Sequence, residues 1–215
     1  PITINKGCFI MISIVDYGVG NLFSLSSSLK SIGADTIVTS DKQKIIDSSK
    51  IILPGVGAFS DAKEKLVESG LFQVVIDEAK KGKKLLGICL GMQMLFEKSF
   101  EYGEFDGLGL IKGNIVPLEG KISPELKIPH IGWNSLEFKN EKSPLFKYIN
   151  NGDFVYFVHS YFAADCDENV IATSEYGIDV TASVQKDNIF GCQFHPEKSG
   201  DVGLNILKAF CEMGD

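Results

Sequence analysis

One cysteine stands in a setting able to activate it. The segment Leu86-Gly87-Ile88-Cys89-Leu90-Gly91-Met92-Gln93 contains Gly-x-Cys-x-Gly, after a short apolar run and at the opening of a helical pattern. At such a strand-to-helix turn a nucleophile is lifted off the sheet edge. The glycines let the turn tighten and let neighbouring backbone pass close by. The helix N-terminus then favours thiolate over thiol. Taken alone, Cys89 also fits a structural cysteine in an ordinary strand–helix turn.

A base and an acid occur in Gln193-Phe194-His195-Pro196-Glu197-Lys198. Proline pushes His195 toward extended backbone, where positions i and i+2 point the same way. Glu197 can then stand behind His195, fix its tautomer and stabilise the imidazolium, as the acid of a nucleophile–base–acid triad does. The bland reading is a surface histidine in a loop. Against it, residues 189–194 form an apolar run leading straight to the pair. Active sites of open α/β sheets lie at such strand ends.

A third stretch, Leu53-Pro54-Gly55-Val56-Gly57-Ala58-Phe59, also follows an apolar run. Its glycines leave the amides of Val56 and Gly57 free to be presented, and with the Leu90 N–H they can form an oxyanion hole. An ordinary turn is the alternative. A phosphate loop is a poor fit, since the long glycine spacing and the Lys-Ser/Thr are missing. His130 and His159 sit in apolar runs and do not make metal-ligand spacing with cysteines or carboxylates. Both are expected to be satisfied buried or rim histidines, and no metal or cofactor is expected.

These groups need a scaffold that brings three strand ends together. Residues 10–15, 50–53, 84–88 and 154–158 are short continuous apolar runs, as in strands buried on both faces. Leu22, Leu25, Leu29 and Ile32 recur at helical spacing, with Gly33 as the stop. Residues 60–83 hold one long or two short helices with stops at Gly70 and Gly82, and residues 90–96 are helical again. Strand–helix alternation makes a parallel sheet with crossovers. Later, residues 108–118, 130–138, 170–175, 179–185 and 189–194 read as strands separated by short turns, before a closing helix over 203–213. Lys186-Asp187-Asn188 is a hairpin connection. The expected fold is a single-domain, three-layer α/β/α structure of flavodoxin-like type. Its sheet is mixed and mostly parallel, with antiparallel C-terminal strands. The domain is placed at residues 11–215, with residues 1–10 a leader or extension outside the core.

Composition narrows the function. The 215 residues carry 21 Lys and Arg against 28 Asp and Glu, a net charge of −7, which disfavours nucleic-acid phosphate as a partner. No apolar run approaches a membrane span. Five cysteines, widely spread and without CxxC, fit a reduced cytoplasm.

The elbow, the His-Pro-Glu pair and the Pro54–Gly57 stretch together resemble the class I glutamine amidotransferase family, triad type. Asp16-Tyr17-Gly18-Val19-Gly20-Asn21, His130-Ile131-Gly132-Trp133-Asn134, Phe157-Val158-His159-Ser160-Tyr161 and residues 193–199 resemble, within that family, the glutaminase-subunit branch of imidazole glycerol phosphate synthases. The resemblance implies Cys89 as nucleophile, His195 as general base and acid, and Glu197 as its orienter. It implies an oxyanion held by Val56, Gly57 and Leu90. Glutamine would be bound by Gly57, Leu90, Gln93 and the backbone at Ser160 and Tyr161. It also implies a heterodimer with a (β/α)8-barrel cyclase in histidine biosynthesis, with Asn21, Trp133 and Lys198 on the docking side. Ammonia freed into water at neutral pH becomes protonated, so a covering partner is also a chemical requirement. Relatives that feed a sugar-amidating partner in surface polysaccharide synthesis share the same glutaminase half and are the alternative. A catalytically silent docking subunit is the reading of another class, but Cys89, His195 and Glu197 are all present.

Overall fold

The computed structural model describes residues 11–139 and 141–214; the leader or extension expected at residues 1–10 lies outside the described residues. Strand β1 (Ile12–Val15) is buried throughout. Helix α1 (Leu22–Ser31) follows, with the Asn21 Oδ1 accepting from the Ser24 amide at its start. Gly33, at φ +78°, ends it as expected. Strand β2 (Thr36–Thr39) and helix α2 (Lys42–Asp47) then intervene, and the apolar pattern does not announce either. β2 is an edge strand and only partly buried, so it shows no continuous apolar run, and α2 is too short to display a period. Strand β3 (Lys50–Gly55) is wholly buried. Residues 60–83 resolve as two helices, α3 (Phe59–Glu68) and α4 (Phe72–Lys80), parted at Gly70, whose φ is +70°. Strand β4 (Lys84–Cys89) leads into the single turn α5 (Leu90–Gln93).

The helix expected to run to residue 96 stops there. The chain continues as β5 (Phe96–Ser99), paired antiparallel with β6 (Phe105–Asp106) and parallel with β7 (Ile111–Pro117). Long-range pairing that buries Phe96 and Ser99 outweighs the local helical pattern. The stretch 130–138 divides into β8 (His130–Ser135) and β9 (Glu137–Phe138). Then come β10 (Phe154–His159), β11 (Tyr161–Ala164), β12 (Val170–Glu175), β13 (Asp179–Lys186), β14 (Ile189–Cys192) and α6 (Gly200–Glu212). The hairpin at residues 186–188 is present, with Lys186 opposite Ile189.

The main sheet has the order β2-β1-β3-β4-β14-β13-β12-β9. Its first five strands are parallel and the remainder antiparallel. Leu66, Val75 and Met92 pack in one core, Leu25, Leu29, Ile206 and Phe210 in another, so helices cover both faces. β10 departs from the expectation of burial on both faces. It pairs with β8 in a separate two-stranded ribbon, and alternate residues face outward. A small third sheet, β11-β7-β5-β6, carries the loop at residues 100–104.

Candidate active site

β3, β4 and β14 are neighbours, and their C-terminal ends converge. Gly55 pairs with Cys89, and Cys192, three residues before His195, pairs with Ile88. The stretch after Gly55 and the His-Pro-Glu pair therefore flank the cysteine from either side. Cys89 has φ 54° and ψ −113°, a left-handed conformation costly for a residue with a β-carbon. The surroundings impose it. A β-carbon on Gly91 would lie 1.8 Å from the Leu53 carbonyl oxygen, and one on Gly87 would lie 2.7 Å from the Gly91 carbonyl oxygen. The elbow helix thus rests directly on strand backbone. The Tyr17 hydroxyl donates to the Pro54 carbonyl at 2.7 Å and braces the adjoining turn.

His195 Nδ1 donates to Glu197 Oε1 at 2.8 Å, and both side chains are only 3% exposed. Burial alone would depress the imidazole. Hydrogen bonds to Cys89 and Glu197, and the electrostatic attraction of both, outweigh it and push the pKa up to about 9. His195 is thus ready to hold a proton between thiol and carboxylate. Gln193, fully buried, places its Nε2 3.9 Å from Cys89 Sγ.

In front of the cysteine opens a cavity of 300 Å³, lined by Val56, Gly57, Cys89, Leu90, Gln93, Ser160, Tyr161 and His195. Glu197 lies behind His195. The catalytic, oxyanion and substrate-binding candidates from the sequence are thus brought to one place. Glu101 and His159 line the same cavity. Glu101 arrives from the loop after β5, where its Oε2 accepts from the Phe59 amide at 2.7 Å, and burial raises its carboxyl pKa. No sequence signal marked Glu101, because it sits in an irregular loop far from the motifs. Gln193 was within reach, since it alternates with His195 on the same extended run. Gln93 Nε2 donates to the Tyr161 carbonyl at 3.1 Å and to Gln193 Oε1 at 3.0 Å.

The docking candidates divide. Trp133 is 51% exposed on the outer face of the ribbon and meets the Tyr156 ring edge-on, with centroids 6.1 Å apart. The Lys198 ammonium stands 5.9 Å above the same Tyr156 ring. Asn21 shares none of these contacts; its Oδ1 serves as the cap of α1. Ile131 and Phe154 add to the exposed apolar face around Trp133. Among the described residues no cluster fits a metal ion, all four cysteines are unpaired, and no helix is long and apolar enough to cross a membrane.

The family model "Glutamine amidotransferase class-I" matches residues 13–213. The chain belongs to the class-I glutamine amidotransferases. Two proteins named "Imidazole glycerol phosphate synthase subunit HisH" are similar to it. One, from Caldanaerobacter subterraneus, is 52% identical over 94% of this chain and 98% of its own length. The other, from Wolinella succinogenes, is 48% identical over 95% of this chain and 100% of its own length. Among solved structures, PurLQS from Thermotoga maritima superposes with a TM-score of 0.70 at 21% identity, over 93% of this chain and 96% of that one. The crystal structure of another glutamine amidotransferase gives 0.71 at 19% identity, over 92% of this chain and 98% of that one. These two likenesses concern the fold, and they agree with the mixed α/β sheet. As a class-I glutamine amidotransferase, the chain has its elbow cysteine and His-Pro-Glu pair where the fold converges its central strands.

Proposed function

We propose that this chain is the glutaminase subunit of an imidazole glycerol phosphate synthase. It hydrolyses glutamine to glutamate and ammonia and passes the ammonia to a (β/α)8-barrel cyclase partner in histidine biosynthesis. The observation that carries this reading is the buried Cys89–His195–Glu197 arrangement at the floor of a cavity of amino-acid size. The near-full-length similarity to the two HisH subunits supports the choice of pathway over sugar amidation.

Each group has a role that its placement suits. Cys89 Sγ attacks the glutamine carboxamide carbon while His195 holds the thiol proton, and the developing oxyanion is met by the amides of Val56, Gly57 and Leu90. His195 gives the proton to the departing nitrogen, so ammonia leaves and a γ-glutamyl thioester remains. His195 then takes a proton from water, the hydroxyl adds to the thioester carbon, and the C–S bond breaks to release glutamate and regenerate the thiol. Glu197 keeps the imidazole in the Nδ1–H tautomer and offsets its positive charge. Gln93 and the backbone at Ser160 and Tyr161 hold the substrate, and Glu101 supplies the negative charge that an α-ammonium requires. Cytoplasm suits the free thiol.

The partner docks on the outer face of the ribbon, where Trp133 is the anchor with Lys198 beside it across the Tyr156 ring, and Asn21 at the start of α1 is a separate contact. Closure keeps ammonia from water. The test is Cys89→Ala in the complex: glutamine-dependent turnover disappears, while added ammonium salt still supports the partner. Glutamine turnover surviving the substitution overturns the triad; loss of both activities overturns the division of labour.

A further inference from the structure

Two histidines outside the triad form a chain that ends on the cavity wall. His159 Nδ1 lies 2.9 Å from the Tyr161 carbonyl oxygen, and its Nε2 lies 3.0 Å from His130 Nδ1. A carbonyl oxygen only accepts, so His159 carries its proton on Nδ1. Its bare Nε2 then only accepts, so His130 also carries its proton on Nδ1. Both tautomers are assigned from one oxygen. His130 Nε2 is buried and makes no close hydrogen bond, with the Asn134 side chain its polar neighbour.

Burial keeps both rings neutral. It lowers His159 to about 3, against the opposing hydrogen bond to Tyr161, and it lowers His130 as well. His130 is fixed in turn by stacking on Tyr176, with centroids 3.9 Å apart at 17°, and on Phe157, at 4.9 Å and 20°. The receiving oxygen is not an idle one. It accepts from Gln93 as well, and Gln93 reaches Gln193, which stands against Cys89.

We propose that His159, oriented by His130, is a positioning residue for glutamine. Its Nδ1–H clamps the Tyr161 carbonyl, and this fixes the Ser160–Tyr161 backbone and the Gln93 amide as the wall against which the substrate lies. The proposal rests on the glutaminase reading above. His159 touches no reacting atom and acts through the peptide it holds. Such a wall binds ground state and transition state alike, so its loss raises KM for glutamine more than it lowers kcat.

The test is steady-state glutamine hydrolysis by the complete complex, wild type against His159→Asn and His159→Phe. The Asn amide nitrogen takes nearly the place of the imidazole Nδ1 and keeps the donor in a smaller side chain. Phe keeps the volume and the flat ring but has no donor. Positioning gives a KM near wild type for Asn and about tenfold higher for Phe, the worth of one net hydrogen bond. A packing role gives the reverse order, because Asn leaves a void and Phe fills the site. That order, or equal KM values, overturns the proposal. Should the Phe variant fail to fold, nitrogen-15 correlation spectra of the wild-type complex decide: His159 as the neutral Nδ1–H tautomer between pH 6 and 8 supports the clamp, and an Nε2–H or charged ring overturns it. A wild-type complex that leaves glutamine intact overturns both this proposal and the reading beneath it, and is recognised by that.

Discussion

Replacing Glu197 by Gln removes one charge and leaves the hydrogen-bonding geometry nearly intact, so it isolates what the carboxylate does for His195. The imidazole moves from its ordinary 6.5 to about 9 in the folded protein. At about 1.4 kcal/mol per pH unit of that displacement, the raised pKa is worth roughly 3 kcal/mol, shared between Cys89 and Glu197, so Glu197→Gln removes only a part of it. Between pH 6.5 and 9 the native state keeps a proton that the unfolded chain has released, so stability must fall as pH rises. The contribution is complete below 6.5 and gone above about 9. In Glu197→Gln, burial meets less opposition and the imidazole pKa drops, so this stretch of the stability curve flattens. Urea denaturation at intervals from pH 6 to 9.5, wild type against variant, reads the difference directly. Wild type leads at pH 6, and the lead shrinks steadily to nothing by pH 9.5. It can reverse there, because a neutral His195 leaves the buried Glu197 charge uncompensated, and Glu197 Oε2 already has no partner. Parallel curves for the two proteins refute the reasoning. Glutamine turnover should also fall less than in Cys89→Ala or His195→Ala, since the acid supplies only part of what the triad does as a unit.

Four further outcomes follow from the geometry. Glu101→Gln should raise KM for glutamine by roughly 10- to 100-fold, the range of a hydrogen bond to a charged group, and leave kcat nearly unchanged; an unaltered KM removes Glu101 from the substrate site. Trp133→Ala should weaken cyclase binding by about 2 kcal/mol in calorimetry while shifting the isolated chain's stability by less than about 0.5 kcal/mol, because Trp133 is half exposed; a large fall in thermal stability instead makes it a core residue. Gly91→Ala should cost at least about 3 kcal/mol and lower Tm by roughly 6–12 °C, since its β-carbon has nowhere to go. Gly57→Ala, strained at φ +92° but facing open space, should cost only about 1 kcal/mol.

The sequence made the central strands legible because burial on both faces leaves a continuous apolar run, and β1, β3 and β4 show it. The cysteine and the His-Pro-Glu pair were legible because they follow such runs directly. β2 escaped because an edge strand is half solvated, and β5 because helical spacing and a buried long-range ladder compete for the same residues. In the site, Glu101 was invisible for a physical reason: its loop reaches the cavity through the third sheet, and no local pattern records a tertiary approach. His159 was read as a satisfied buried histidine, and it is one; that its hydrogen bond ends on the cavity wall depends on the turn from β10 into β11.

The ribbon of β8 and β10 writes two messages in one stretch of chain. His130 and Phe157 point to the core, while Ile131, Trp133 and Tyr156, on the alternate positions of the same two strands, point out. Because strand side chains alternate with a period of two, a one-residue slip of β8 against β10 would exchange the two sets, turning the histidine outward and the tryptophan inward. Substitutions can therefore edit the outer surface or the inner hydrogen-bond chain separately, whereas a one-residue insertion or deletion must scramble both together. Lineages that change partners should accordingly diverge in this ribbon by replacement at odd-numbered positions of β8, with its length held constant.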